Sequence, residues 1–316
     1  MLQYLIILLD DTSTSFCHYT VPQKEPRLLD IESLRKGIRF AMRENLMIQF
    51  VYPDYELPKE YIEAVESIDH SKIKPMENDA DVVILNDWCF PSEKVEVPLV
   101  LRTTKAELFT KSAELKDVLE KTPRLNIVIT DVETFTDEEL NTYKEVLNEL
   151  SSYVEKLYVA GKSPQLNLLT DRMMLKEMNN CRAGDTTITL APNGKLYVCP
   201  AFYYENVTDS IGDINAPDFQ CAEDLHVGNK QLYKLEYAPI CRHCDAYQCK
   251  RCVWLNRKLT LEVNTPSHEQ CVMAHLERNA SSELLNKIRK HGTFLPEQEE
   301  IKELDYLDPF DKREEW

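Results

Sequence analysis

A chain of 316 residues with 43% hydrophobic and 29% charged side chains has the composition of a globular protein and the length for one large domain or two of ordinary size. Its formal net charge of −17 argues against a general nucleic-acid surface, because phosphate binding needs a concentrated positive field. The longest apolar run, around residues 5–9, is too short to span a bilayer and follows no basic segment, so neither a membrane partner nor a secretory signal is expected. A cytoplasmic setting follows as the expectation, and reduced thiols there serve as metal ligands more often than as disulfides.

In chain order, residues 4–9 read as a buried strand that ends in Asp10 and Asp11 and leads into a loop containing Cys17 and His18. Asp10 and Asp11 then stand at the end of strand one. Asp30 is a suitable N-cap for a helix whose apolar residues Ile31, Leu34, Ile38 and Ala41 recur at helical spacing. A strand over 47–52 follows, then a helix opened by Pro58. Strands are expected at 81–85 and 98–102, with Cys89 in the loop between them, followed by a helix over about 105–121. A fifth strand covers 125–130. Thr136 and Glu139 form a capping box for a helix reaching about residue 150, and a sixth strand is placed at 157–160. Alternation of this kind predicts parallel βαβ units in a partial barrel or an open doubly wound sheet. No GxGxxG occurs, and Gly161-Lys162-Ser163 lacks the earlier glycine of a phosphate loop.

Beyond residue 171 the pattern changes. A helix at 172–178 precedes two strands at 186–190 and 195–199, which Pro192-Asn193-Gly194 joins as a hairpin. Residues 203–240 show little periodicity, 259–263 read as a strand, and a helix runs from Cys271 to about 288. The end, 296–316, carries nine acidic and three basic side chains and reads as a solvated acidic tail.

The cysteines concentrate here. Cys241, Cys244, Cys249 and Cys252 follow C-x2-C-x4-C-x2-C, and with Cys181, Cys199, Cys221 and Cys271 they make eight thiols, enough for two four-cysteine sites. Thiolates suit either zinc or iron–sulfur clusters, and spacing does not choose between them. His243 is expected outside the coordination sphere, since the thiols alone suffice.

The order of Cys181, Gly194, Cys199, the central four and Cys271 resembles the SPASM extension of radical S-adenosylmethionine enzymes that modify ribosomal peptides, although the central group is one residue shorter in each of its last two spacers. Ala191-Pro192-Asn193-Gly194 and Val198-Cys199-Pro200 agree with it locally. The resemblance implies an α/β fold: a partial (β/α)6 radical-SAM-like barrel over 1–170, then a cysteine-rich SPASM-like extension over 171–295 with a small β-hairpin and a C-terminal helix, then the tail over 296–316. It also implies two auxiliary 4Fe–4S clusters. The first would be held by Cys181, Cys199 and Cys252 with Cys221 as fourth ligand, and the second by Cys241, Cys244, Cys249 and Cys271. Two zinc ions in the same sites remain the alternative.

One departure limits this reading. Radical enzymes of that family carry C-x3-C-x2-C after the first strand, and here only Cys17 is present, with Val21 and Lys24 at the other two positions. The glycine-rich segment expected after the second strand is replaced by FVYPDYE. No S-adenosylmethionine site is therefore expected. The segments YLIILLDDTSTSFCHY, NLMIQFVYPDYELP and CDAYQCKRCVWLN resemble the CXXX repeat peptide maturases. Membership implies work on a cysteine-rich precursor peptide beside a radical S-adenosylmethionine enzyme or an electron donor. Cys17, His18 and Cys89 are the catalytic candidates, since an imidazole beside a thiol lowers its pKa and a thiolate that attacks a disulfide of the peptide captures one cysteine as a mixed disulfide and releases the other as thiolate. The competing reading makes both cysteines small core fillers. A metal-stabilised scaffold that presents the precursor without catalysis is the second functional reading.

Overall fold

The computed structural model describes residues 1–18, 25–75, 79–179 and 181–301. Strand β1 (Tyr4–Leu8) is apolar throughout because both its faces are covered, and Leu5, Ile7 and Leu8 have no exposed surface. Helix α1 (Ile31–Glu44) begins where the Asp30 carboxylate accepts the Ser33 amide and ends at Asn45 in the left-handed conformation. The order continues with β2 (Met47–Val51), α2 (Lys59–Val65), β3 (His70–Lys74), β4 (Val82–Leu85) and β5 (Leu99–Thr103). Then come α3 (Lys105–Lys111), α4 (Leu115–Lys121), β6 (Arg124–Ile129), α5 (Asp137–Val159) and β7 (Gln165–Leu166). Each of these strands pairs in parallel with the next, so β1 to β7 form one sheet in chain order.

After the short helix α6 (Asp171–Met174) the chain returns to the opposite edge of β1. Strand β8 (Thr187–Leu190) pairs in parallel with it from Tyr4↔Thr187 to Ile7↔Leu190. Strand β9 (Lys195–Tyr197) folds back antiparallel on β8 through a turn in which Gly194 holds φ 76°. Helix α7 (Pro200–Glu205) follows, and β10 (Gly212–Asp213) ends a ten-stranded sheet of order β10-β9-β8-β1-β2-β3-β4-β5-β6-β7. Gly37 lets α1 approach this edge, since a Cβ there would lie 2.5 Å from Leu190 Cδ2. Helices α8 (Val253–Thr260) and α9 (His268–Arg289) complete the described chain. No helix among the described residues is long and apolar enough to cross a membrane.

The helix expected at 172–178 is only Asp171–Met174, that expected at 105–121 is divided into α3 and α4, and three further differences have a physical reason. Strand β3 has no apolar run: its Lys72 pairs with Glu66 and Asp79, its Lys74 lies over the Tyr52 ring, and Ile73 is its one buried aliphatic residue. With β3 added, and β7 in place of the strand expected at 157–160, the parallel strands before β8 number seven rather than six. Residues 157–160 are no strand; they are the end of α5, which the Thr136–Glu139 capping box starts and which runs 23 residues to bury Leu150, Val154 and Leu157. Residues 259–263 are no strand either, because α8 runs to Thr260 and stops on Leu261 at φ 65°. At the far end, Arg289 binds the carbonyls of Leu295 and Gln298 at 2.9 and 2.7 Å, and Ile301 is buried. Residues 302–316 of the expected acidic tail lie outside the described residues, as do Val21 and Lys24.

Helix α9 packs on α5, and one carboxylate sits in that contact. The Tyr143 hydroxyl donates to Glu277 Oε1 at 2.8 Å, and Gln248 Nε2 reaches Oε2 at 3.4 Å. Desolvation outweighs these bonds and the nearby Lys250, and pushes the Glu277 carboxyl from an ordinary 4.5 up to about 7. The folded state thus holds this proton more tightly than the unfolded state. The associated stability is complete below pH 4.5 and is lost as pH rises through 7. Glu277→Gln, compared with the parent by chemical denaturation, should be nearly neutral at acidic pH and stabilising by up to roughly 3 kcal/mol above neutrality; equal pH dependence in both proteins would contradict this.

Candidate metal centres

The loop after β1 is held across the ends of several strands. Asp10 and Asp11 are buried where β1 ends. The Tyr55 hydroxyl, beyond β2, donates to Asp10 Oδ2 at 2.9 Å, and Asn86, beyond β4, donates to Thr14 Oγ1 at 2.9 Å. His18 Nδ1–H donates to the carbonyl of Ile129, the last residue of β6, at 3.1 Å. Burial pushes its pKa down, with Arg102 adding to the effect, so the imidazole is neutral at physiological pH. Helix α7 grips the same loop from the other side. Tyr203 donates to Asp11, which is also paired with Arg27 at 2.9 Å, and the Tyr204 hydroxyl donates to the Ser13 carbonyl at 2.7 Å.

A first group of thiols gathers there. Cys199 is the N-cap of α7, Cys252 is the N-cap of α8, and Cys181 is fixed by a 2.7 Å hydrogen bond from its amide to the Lys250 carbonyl. Cys17 joins them from the β1 loop: its sulfur is hydrogen-bonded to that of Cys199 and accepts from the Ser15 side chain and the Ala201 amide. All six pairs among Cys17, Cys181, Cys199 and Cys252 lie within electrostatic range. The Cys252 sulfur also accepts the amides of Leu255 and Trp254, and that of Cys181 the amide of Ala183. Burial pushes the thiols of Cys181, Cys199 and Cys252 up, whereas the bond from Cys199 holds Cys17 below its ordinary value. The three raised thiols ionise readily only against a cation, and metal coordination supplies one.

A second group lines one pocket. Cys241, Cys244, Cys249 and Cys271 face it together with Arg251 and His275. The amides of Ala246 and Arg251 donate to the sulfurs of Cys244 and Cys249, both at 3.4 Å, and His275 Nε2 lies 3.6 Å from Cys244 Sγ. Burial pushes Cys241 up to about 11 and Cys249 up to about 12. The loop bearing these residues is anchored by Asp245, which takes Arg278 at 2.7 Å on its carboxylate and Arg172 Nε at 2.6 Å on its carbonyl. Among the described residues no three His, Cys, Asp or Glu side chains are arranged to hold a single metal ion.

Between the groups stands Arg251, only 1% exposed and at φ 44°. One guanidinium nitrogen donates to the Tyr233 carbonyl at 2.5 Å, while Nε and the other terminal nitrogen have no hydrogen-bond partner among the described residues. The charge neighbours that favour its cation are Cys241, Cys181, Cys249 and Asp185, so it faces thiols of both groups. A buried cation with free N–H groups fits sites that become anionic when filled, and four thiolates around an iron–sulfur cluster leave a net negative charge.

With this geometry in hand, comparison with solved structures is informative. A structure of native anSMEcpe with bound AdoMet and the Cp18Cys peptide matches with a TM-score of 0.62 at 13% identity, over 92% of this chain and 100% of that one. The form with the Kp18Cys peptide gives 0.57 at 12% over 91% and 99%, and the form with AdoMet alone gives 0.59 at 13% over 90% and 99%. The likeness is one of fold: this chain is folded like anSMEcpe. No protein-family model matches the sequence, and no curated protein does.

On this fold the candidates from sequence are distributed unevenly. Cys181, Cys199 and Cys252 come together, and Cys241, Cys244, Cys249 and Cys271 come together elsewhere. Cys221 stands apart from both in a turn of its own, where its amide bonds to Asp224 Oδ2 at 2.9 Å. Cys17 and His18, adjacent in sequence, point to different partners. Cys89 is exposed, its amide bonded to Asp87 Oδ1 at 3.1 Å, and none of the described contacts joins it to Cys17. His243 does not line the pocket of the second group; His275 does. Arg251 went unrecognised in the sequence, although its place inside the CxxC-rich segment was a signal. Arg251→Met should stabilise the metal-free chain by removing a buried charge, yet lower metal affinity about 10-fold or more, as read by competition with a chelator; unchanged affinity would contradict the charge argument.

Proposed function

We propose that the protein works in the maturation of a cysteine-rich ribosomal peptide, of the CXXX repeat kind, and carries two auxiliary 4Fe–4S clusters without generating a radical itself. The observation that carries this is the sorting of eight cysteines, Cys17 among them, into two groups of four on a fold like that of anSMEcpe. Cys241, Cys244, Cys249 and Cys271 would hold one cluster; Cys181, Cys199 and Cys252 would supply thiolates to the other. Residues 171–295 then act as a SPASM-like extension. Such clusters store and pass single electrons.

The residues around the sites suit this role. Amides at Ala183, Ala246, Arg251, Trp254 and Leu255 donate to sulfurs, which stabilises a reduced, more negative state. Trp254 and Leu255 are buried behind Cys252 and keep water from that side. Four thiols around one pocket suit a cluster, whose several irons and sulfides occupy a volume. The β1 loop argues for a partner enzyme: it offers one cysteine where three are needed, and its own hydrogen bonds run across the strand ends. The relative anSMEcpe is named with bound peptide, which supports a peptide as the substrate class here.

Metal analysis tests the first half. Protein purified without oxygen should contain about eight iron and about eight sulfide per chain and absorb broadly in the visible; a colourless protein with about two zinc would replace the cluster reading. Titration with a synthetic peptide of repeating Cys-x-x-x units tests the second half. Saturable binding is expected, and binding no tighter than to a serine-substituted control would overturn the peptide role.

A further inference from the structure

We propose that Cys17, the lone cysteine of the β1 loop, is the fourth thiolate of the first metal site, in the position that the family resemblance gives to Cys221. The inference rests on the metal-binding reading of the eight-cysteine field, and it replaces one ligand of that field with a cysteine from outside it. Three lines of geometry support it. The Cys17 sulfur is hydrogen-bonded to the Cys199 sulfur and lies within electrostatic range of Cys181 and Cys252, so it completes the set. The loop that carries it is fastened to the helix that carries Cys199, through Tyr203 on Asp11 and Tyr204 on the Ser13 carbonyl. Cys181 and Cys252 are in turn held together by the bond from the Cys181 amide to the Lys250 carbonyl.

Cys221 fails on the same grounds. It caps a single turn at 222–224, where its sulfur accepts the Asp224 amide and the Asp224 carboxylate accepts the amides of Gln220 and Cys221 at 2.7 and 2.9 Å. Among the described residues no contact brings it to Cys181, Cys199 or Cys252.

The consequence is mechanical as well as chemical. Cys17 is the only cysteine in the loop after β1. Committed to the first site, it is no longer a free nucleophile, and metal binding fastens the loop that crosses the strand ends to the cysteine-rich half of the chain. Occupancy of the site would therefore set the order of residues 10–18.

Single variants of the full chain, purified without oxygen, test this through metal content. Cys17→Ala should lose the metal of one site, half the parent's content, and so should Cys181→Ala. Cys221→Ala should retain all of it. The remaining half in Cys17→Ala, together with an unchanged circular dichroism spectrum, shows that the fold survives. Full retention in Cys17→Ala, or loss in Cys221→Ala with retention in Cys17→Ala, overturns the assignment. The result does not depend on which metal is present: a parent with zinc would refute the cluster reading while still testing Cys17, and a parent with no metal would refute both. Hydrogen exchange supplies an independent readout. Removal of the metal by chelation should increase exchange at residues 10–18 in the parent and leave Cys17→Ala unchanged.

Discussion

Strand β1 is paired on both sides, with β2 on one and β8 on the other, and the arrangement of the chain follows from that double pairing. Parallel pairing from Tyr4↔Thr187 to Ile7↔Leu190 brings the late part of the sequence back beside its beginning. A slip of one residue would turn every side chain of β8 to the other face, and the buried set Ile188 and Leu190 forbids it. Gly37 reinforces the register, because α1 comes against Leu190 where a side chain would collide. Once β8 is seated, β9 and α7 follow, and the hydroxyls of Tyr203 and Tyr204 reach the loop that leaves β1. The cysteine field is therefore built onto the central sheet and not suspended from it.

Buried charge is the second organising feature. Asp245 between Arg172 and Arg278 satisfies its neighbours and fixes the loop that presents Cys244 and Cys249. Arg251 differs, with two nitrogens that have no hydrogen-bond partner among the described residues and thiols of both groups around it. An isolated buried cation is costly, and anionic metal–thiolate sites on either side would offset that cost. The same logic explains the raised thiols at Cys241 and Cys249: each resists ionising alone, and a metal ionises them together.

Much of this architecture was legible in the sequence because the signals were local. Asp30, the Thr136–Glu139 box and Pro192-Asn193-Gly194 specify caps and a turn by chemistry within four residues, and each forms as read. The misreadings came where tertiary context decides. Strand β3 is held by its neighbours and by Lys72 and Lys74, not by an apolar pattern, and the apolar residues 157–160 fit a helix face as well as a strand. The site shows the same division. Spacing grouped the central cysteines, but it could not bring Cys17 to Cys199 across a separation of 182 positions, nor show that the Cys221 sulfur accepts an amide in its own turn.

Anomalous diffraction at the iron edge, from crystals of protein prepared without oxygen, tests the central claim most directly. The account predicts two iron peaks per chain, one enclosed by Cys241, Cys244, Cys249 and Cys271, the other by Cys17, Cys181, Cys199 and Cys252. A single peak, or a first site closed by Cys221 with Cys17 turned away, would contradict it.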